Sequence, residues 1–533
     1  MEKAASGPAR SVCVLMFDGL PDDVFTRLLD GGSLPTIKAA LVDRGLRVEN
    51  AVTSVPSETY PNLAGMLTGL FPGHHGIPAN VWLDRRLRRR EAHTNIFRAY
   101  ATGEFLAPEA RTLYERLPAG TVTVTTPIFR GASVSSKNVI AIMAAYLRND
   151  WAFLERKTMD DVGDAYAGAA DAGRLPPLVF GHLLGPDEVA HSDGPDSLEF
   201  RKEMESIDRA FARLLRRLAR RKIDDRVLFV LLGDHGNSSY DRPVDIEELV
   251  HRALFSHPAE SDCRDDGCIV KPVARGKEKL FDVGDTEIAV GAYRGAMIWL
   301  PGNRPPEELP TVFRVPRKKR PSPPQPQVKA RPPLPSRYGF AATLARRPEI
   351  LLVVTRGELP GEVQVYGATG EAVIVTEETA LGSDLYTYRV IEGSDPLGYA
   401  SLPEVAPMLG HPETSGRWLH ATARTAAPDL VVQLSEFFDS PRSPDVYITP
   451  RDGYGFRSGK AAGHGSLARR EMVVPIVFAG PGVVHGTLEA ARTVDLAPTL
   501  LRYLGIPFDP EEMDGADLAI EHPETSPGRK MAP

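Results

Sequence analysis

Thr59 opens the stretch Thr59-Tyr60-Pro61-Asn62, which runs directly into the apolar segment Leu63 to Leu70. Proline is tolerated in the first turn of a helix, because its missing N–H has no intrahelical partner to lose there. The spacing therefore predicts that Thr59 stands at a helix N-terminus, where free N–H groups and the helix dipole favour an anion. A hydroxyl in that position can attack a phosphorus centre held beside it. It can equally act as a plain N-cap for backbone donors, so the turn alone does not decide.

Four further clusters carry acids and imidazoles. Asp18 follows VCVLMF, and Asp187 and His191 lie in GPDEVAHSDGP after LVFGHLL. Asp234 and His235 lie in GDHGN after VLFVLL, and His464, in AGHGS, precedes VVPIVFAG. Aspartate and histidine form a ligand set suited to zinc and other borderline divalent ions. An Asp and a His four residues apart can meet one ion. Taken singly, each cluster reads as a turn with a hydrogen-bonded side chain. Taken together at strand ends, they predict one site. His74 and His75 read as structural or surface residues.

The elements that must position these groups alternate between strands and helices. Val12 to Phe17 is a continuous apolar run, as in a strand covered on both faces. Helical patterns follow at 21–30 and 35–44, then strands near Arg47 to Thr53, Thr121 to Thr126, Leu178 to Leu184 and Arg226 to Leu232. Between the last two, an amphipathic helix opens at Ser197, with Ile207, Phe211, Leu214, Leu215 and Leu218 at helical spacing. Carboxylates at the ends of buried strands lie where open α/β sheets bind their ligands. From residue 240 the pattern changes: 301–337 is proline-rich and basic, as in an extended linker, and 350–390 holds short strand-like runs between turns. The core is expected to resume with Leu430 to Leu434, Asp445 to Thr449 and Val473 to Phe478, and to close with the helix Val494 to Leu504.

The chain has 533 residues, 42% of them hydrophobic, and a formal net charge of −7. That content is ample for a buried core, and the charge argues against a general nucleic-acid binder. The basic runs Arg85 to Arg90 and Arg317 to Arg320 read as solvated faces. Cys13 reads as a small buried hydrophobe, and Cys263 and Cys268 give no disulfide framework. Residues 1–10 lack a signal peptide's apolar region, and no run of 18 apolar residues occurs, so a cytoplasmic protein without a membrane span is expected.

As a set, these motifs resemble the alkaline phosphatase superfamily, and within it the type I phosphodiesterase/nucleotide pyrophosphatase branch. The resemblance rests on Phe17-Asp18-Gly19, Thr59-Tyr60-Pro61-Asn62, Thr68-Gly69 through His75-Gly76-Ile77, Asn80, Asp187 to His191, Asp234-His235-Gly236 and His464-Gly465, in family order. VDLAPTLLRYLGIP is similar to the family's last helix. The resemblance implies an α/β fold with a large, mostly parallel central sheet, helices on both faces and a small β-rich insertion. It divides the chain into core residues 1–240, an insertion 241–429, core residues 430–517 and a polar tail 518–533.

By the same resemblance, the chain is a hydrolase of phosphoric esters with two divalent ions, zinc, as cofactors. One ion would be held by Asp187, His191 and His464, the other by Asp18, Asp234 and His235. Thr59 would be the nucleophile, bridging toward the second ion, and Asn80 would donate to a phosphoryl oxygen. The expected partner is a small phosphodiester or nucleotide. Two divalent ions against three aspartates and an ionised Thr59 leave a nearly neutral site, which suits a diester monoanion better than a monoester dianion. Phosphomonoester and phosphonate hydrolysis are the near rivals, and a scaffold that kept the fold is the non-enzymatic one. A sulfatase is disfavoured, since a cysteine would then be expected at the nucleophile position.

Overall fold

The computed structural model describes residues 10–84, 89–255, 271–272, 281–283, 286–291, 293–299, 337–379 and 384–521. Arg85 to Arg88, Cys263, Cys268, the run 317–320 and the proline-rich stretch up to residue 336 lie outside the described residues.

The central sheet is built from β1 (Ser11–Phe17), β2 (Leu46–Val52), β3 (Val122–Val124), β4 (Val134–Ser136), β5 (Leu178–Leu183), β6 (Val227–Gly233), β7 (Val473–Ala479), β8 (Gly486–Leu488) and β9 (Ala491–Arg492). Its order is β8-β2-β7-β6-β1-β5-β3-β4, with β9 also on β2. β6, β1, β5, β3 and β4 run parallel to one another. β7 is antiparallel to both β6 and β2, which restores β2 to the common direction.

The apolar runs are continuous because alternate residues serve two cores. Val12, Val14 and Met16 face one, while Cys13, Leu15 and Phe17 face the other. β6 divides in the same way, with Leu228, Val230 and Leu232 against Val227, Phe229 and Leu231. A strand buried on both faces must be apolar at every position. The amphipathic helix spans Leu198–Arg220, capped by the Ser197 hydroxyl accepting from the Phe200 N–H. It covers the second core with Phe200, Met204, Ile207, Phe211, Leu214 and Leu218.

Leu430 to Leu434, where the core was expected to resume, begins the buried helix Leu430–Phe438. Val446–Pro450 does not join the central sheet. It pairs antiparallel with Gly295–Trp299 and Ile350–Arg356 in a separate ten-stranded sheet. All five of its residues are buried, so composition alone could not assign it to either sheet. Residues 518–521 also pack more closely than a polar tail would. Ile520 is buried, its carbonyl accepts from Val484 N–H, and Glu521 pairs with Arg10.

One buried carboxyl pair braces the sheet edge. Gly185 opens the helix Gly185–Asp193, and its N–H donates to Glu155 Oε1 at 2.6 Å. A Cβ on Gly185 would stand 2.7 Å from Glu203 Oε1 and 2.9 Å from Glu155 Oε1, so the two acids enclose that first turn. Burial and the neighbouring Glu203 hold Glu155 well above the usual carboxylate range. Burial, aided by Asp150, pushes Glu203 up from 4.5 to about 7. A carboxyl raised in the folded state gives stability that is complete below its unfolded pKa and lost as pH rises through about 7. That gap corresponds to on the order of 3 kcal/mol. Glu203→Gln should therefore gain on wild type by that order between pH 5 and pH 8.5 in urea unfolding. A pH-independent difference would show that Glu203 does not titrate in this way.

Candidate active site and metal centre

The sheet topology brings the chemistry to one edge. Asp18 follows β1, Thr59 lies on the connection leaving β2, Asp187 follows β5 and Asp234 follows β6. All four strands run in the same direction, so their C-terminal ends share an edge. His464 precedes β7, the antiparallel strand, and the start of that strand lies at the same edge.

Thr59 is the first residue of the helix Thr59–Thr68, and the extended Glu58 is its N-cap. The threonine hydroxyl is thus not spent on capping. It lies 3.1 Å from His235 Nε2 and donates weakly to Asp18 Oδ1 at 3.5 Å. The loop before it is held by Asn62, whose Oδ1 accepts from Ser54 N–H at 2.7 Å and whose Nδ2 donates to the Glu58 carbonyl at 2.9 Å. Asn80 Oδ1 accepts from Tyr60 N–H at 2.9 Å. That contact fixes the amide and leaves Nδ2 to donate toward the cavity it lines.

Three histidines share one arrangement. The Nδ1–H of His191 donates to the Ala462 carbonyl, that of His235 to the Gly236 carbonyl and that of His464 to the Ser57 carbonyl, at 2.9, 3.1 and 2.8 Å. Such backbone bonds fix the tautomer and offer Nε2 as a ligand. His191 Nε2 lies 3.1 Å from Asp187 Oδ2, and His235 Nε2 lies 3.3 Å from Asp18 Oδ1 and 3.5 Å from Asp234 Oδ2. Ligand atoms of Asp187, His191 and His464 fall within 4.8 Å of one another, as do those of Asp18, Asp187 and His235. Asp187 therefore belongs to both groups. Asp234 sits beside the second, with Oδ1 accepting from the Gly19 and His235 N–H groups and Oδ2 buried without a hydrogen bond.

The electrostatics also call for cations. Burial and the Asp18 charge push Asp234 well above the carboxylate range. Asp187 goes the other way: burial opposes its charge, but His191 and His464 beside it hold it well below. For His235 burial disfavours charge, yet Asp234 and Asp18 push it up to about 10. Burial and the neighbouring His235 take His464 down to about 3, so its imidazole stays a neutral lone-pair donor. A divalent ion among three buried carboxylates removes the cost of ionising them all. The residues fit metal.

Asp18, Thr59, Asp187, His191 and His464 line a cavity of about 1350 Å³. Sequence reasoning missed several of its features. His182, inside β5, places Nε2 2.8 Å from Asp18 Oδ2, hidden in what reads as an apolar strand. Asn237 Nδ2 donates to Asp187 Oδ1 at 2.9 Å and to the Gly19 carbonyl at 3.1 Å. Gly19 has φ +66°, and a Cβ there would stand 2.4 Å from that Asn237 amide, so the Asp18-Gly19 pair is a steric requirement. Tyr293 sets its ring edge-on to His191, with Arg457 and Lys460 over its face. Tyr293 lies in the stretch 241–429 expected as an insertion, for which no site residue was expected. His74 and His75 are both buried and stand apart from this centre.

The family model described as type I phosphodiesterase/nucleotide pyrophosphatase matches residues 12–359, and the chain belongs to that family. It is 24% identical over 249 residues to an uncharacterised pyrophosphatase/phosphodiesterase of Schizosaccharomyces pombe, covering 46% of this chain and 49% of that one. It is 27% identical to ectonucleotide pyrophosphatase/phosphodiesterase family member 3 of Mus musculus, over 35% of this chain and 21% of that protein. Identity to the mouse bis(5'-adenosyl)-triphosphatase is 22%, over 48% and 53% of the two chains. The matches thus span about half or less of these relatives. Among solved structures, murine ectonucleotide pyrophosphatase/phosphodiesterase 5, in an inactive form in complex with AMP, superposes with a TM-score of 0.55 at 15% identity. That superposition covers 95% of this chain and 97% of that one. The likeness is one of fold.

Asp187 contributes to both ligand groups and His464 to one. Asp187→Asn should therefore lower the divalent metal retained per chain more than His464→Asn does, by elemental analysis after dialysis. Equal losses would show that Asp187 serves a single ion.

Proposed function

We propose that, as a member of this family, the chain hydrolyses phosphodiester and nucleotide pyrophosphate bonds through a phospho-Thr59 intermediate. The observation that carries the reading is the Thr59 hydroxyl, unspent by capping, 3.1 Å from His235 Nε2 within the histidine and aspartate ring. Two divalent ions, zinc, would be held by Asp187, His191 and His464 and by Asp18, Asp234 and His235, with Asp187 within reach of both. When bound, such ions stabilise an ionised hydroxyl and the charge on phosphoryl oxygens.

The chain's own residues supply the remainder. Thr59 Oγ1, its hydroxyl proton released to solvent on ionisation, forms a bond to phosphorus as the bond to the leaving oxygen breaks, and that oxygen departs and takes up a proton from solvent. Asn80 Nδ2 donates to a non-bridging oxygen. The helix that starts at Thr59 adds its N-terminal dipole to the same charge. Water then forms a bond to phosphorus as the Thr59 Oγ1–P bond breaks, which returns the free hydroxyl. Tyr293, Arg457 and Lys460 at the cavity wall would meet the outer part of the substrate. That a protein of the same fold is in complex with AMP supports a nucleotide as the substrate class.

Thr59→Ala should lower turnover of bis-p-nitrophenyl phosphate by at least about 10³-fold with metal content near wild type, while Thr59→Ser retains part of the activity. An alanine variant of comparable rate would move the nucleophile to water. The wild-type ratio of kcat/KM for bis-p-nitrophenyl phosphate over p-nitrophenyl phosphate should exceed one. A ratio well below one would make the protein a phosphomonoesterase.

A further inference from the structure

Beyond the active centre, a second cluster of an imidazole and carboxylates joins three separated segments. The turn after the nucleophile helix brings His74 against the C-terminal end of the helix Leu430–Phe438 and against Asp514. The approach is tight. A Cβ on Gly73 would stand 1.9 Å from the Glu436 carbonyl oxygen, so glycine is required beside the histidine. His74 is 5% exposed and Glu436 3%.

The two edges of the His74 ring differ. Nδ1 donates to Asp514 Oδ2 at 2.7 Å, and that oxygen also accepts from Phe71 N–H at 2.7 Å. This is the length of a charge-assisted hydrogen bond, about 2.7–2.9 Å. Nε2 instead meets two carboxylate oxygens, Glu436 Oε2 at 3.2 Å and Asp439 Oδ2, with which it shares a long hydrogen bond, at 3.3 Å. Those separations are long for charge-assisted hydrogen bonds. They do match the edge of a tetrahedron around one ion with ligands at about 2.0–2.1 Å. The same spacing recurs in the active centre, where His191 Nε2–Asp187 Oδ2 is 3.1 Å and His235 Nε2–Asp18 Oδ1 is 3.3 Å.

The helix supplies an independent argument. Glu436 lies in the last turn of Leu430–Phe438, Asp439 is the C-cap, and no basic residue occupies that turn. Acids at a helix C-terminus face the negative end of the dipole, where a cation is favoured. Tyr386 donates its hydroxyl to Glu436 Oε1, which leaves Oε2 turned toward His74.

We propose that His74 Nε2, Glu436 and Asp439 bind a structural divalent transition ion such as zinc, with Asp514 orienting the imidazole through Nδ1. The ion ties the nucleophile helix's exit turn to the Leu430–Phe438 helix and to the 514 segment. This site does not depend on the reaction at Thr59.

The test measures zinc by elemental analysis after loading and dialysis, in a background whose active-centre ligands are replaced by Asp18→Asn, Asp187→Asn and His464→Asn. That background should retain one equivalent of zinc, and adding His74→Asn should remove it. Chelation should also lower the background's Tm. The rival is a protonated His74 clamped by three carboxylates. Zinc content unchanged by His74→Asn, or nitrogen NMR showing His74 protonated at both nitrogens in the zinc-loaded protein, would overturn the proposal. If His74→Asn does not fold, Asp439→Asn, half-exposed in the wild type, should release the last equivalent at least tenfold more readily. Unchanged release would equally overturn it.

Discussion

Burying like charges together is the constraint on which this structure turns. Asp18, Asp187 and Asp234 are carried to one edge of the sheet and largely removed from water. Charges so placed are costly unless paired or bound to a cation. The fold meets part of that cost itself, through His182 and His235 on Asp18, His191 and Asn237 on Asp187, and backbone N–H groups on Asp234. The imidazoles of His191, His235 and His464 are fixed by backbone carbonyls and not by further acids. Their Nε2 atoms therefore remain directed at the carboxylates, and the cluster is preorganised for cations.

That preorganisation depends on strand direction. Four of the segments that form the site leave parallel strands, and the fifth, carrying His464, enters an antiparallel one. A single reversed strand between β2 and β6 thus lets a late segment of the chain reach the same edge as the early ones. Reversing β7, or shifting its register by one residue, would take His464 away from Asp187. The stacking of His464 on His235, at 3.7 Å between ring centres, shows how closely the two segments are brought together.

What was legible in the sequence follows from this. β1, β5 and β6 each read as unbroken apolar runs because both of their faces are covered, and Asp18, Asp187 and Asp234 were visible as the polar residues ending those runs. His182 was not, because it sits within such a run and its role comes from the register between β1 and β5. Asn237 needed the tertiary approach of Gly19. Val446–Pro450 has the same composition as a central strand, and only its pairing with Gly295–Trp299 and Ile350–Arg356 assigns it elsewhere. Leu430 to Leu434 was legible as core but not as a helix, because a helix buried on all sides has no polar stripe to reveal its period. Every residue from Leu430 to Phe438 is buried.

The buried Leu430–Phe438 helix also explains how the two sheets are coupled. Its residues Val431, Leu434, Phe437 and Phe438 share one core with Val14 of the central sheet and with Val354, Val365 and Ile374 of the second. Arg492 holds Asp429, just before the helix, by two hydrogen bonds of 2.6 and 2.7 Å, and the turn after the helix Thr59–Thr68 packs on its other end. The floor of the cavity is therefore set by the edge of the parallel sheet, while Tyr293 and its neighbours reach the wall from outside that sheet. Floor and wall meet different demands. The floor must hold six charged or chargeable groups within ångströms, so its residues stand in recognisable motifs. The wall needs only to be shaped and charged to suit a substrate, which leaves its sequence free of any pattern that spacing alone reveals.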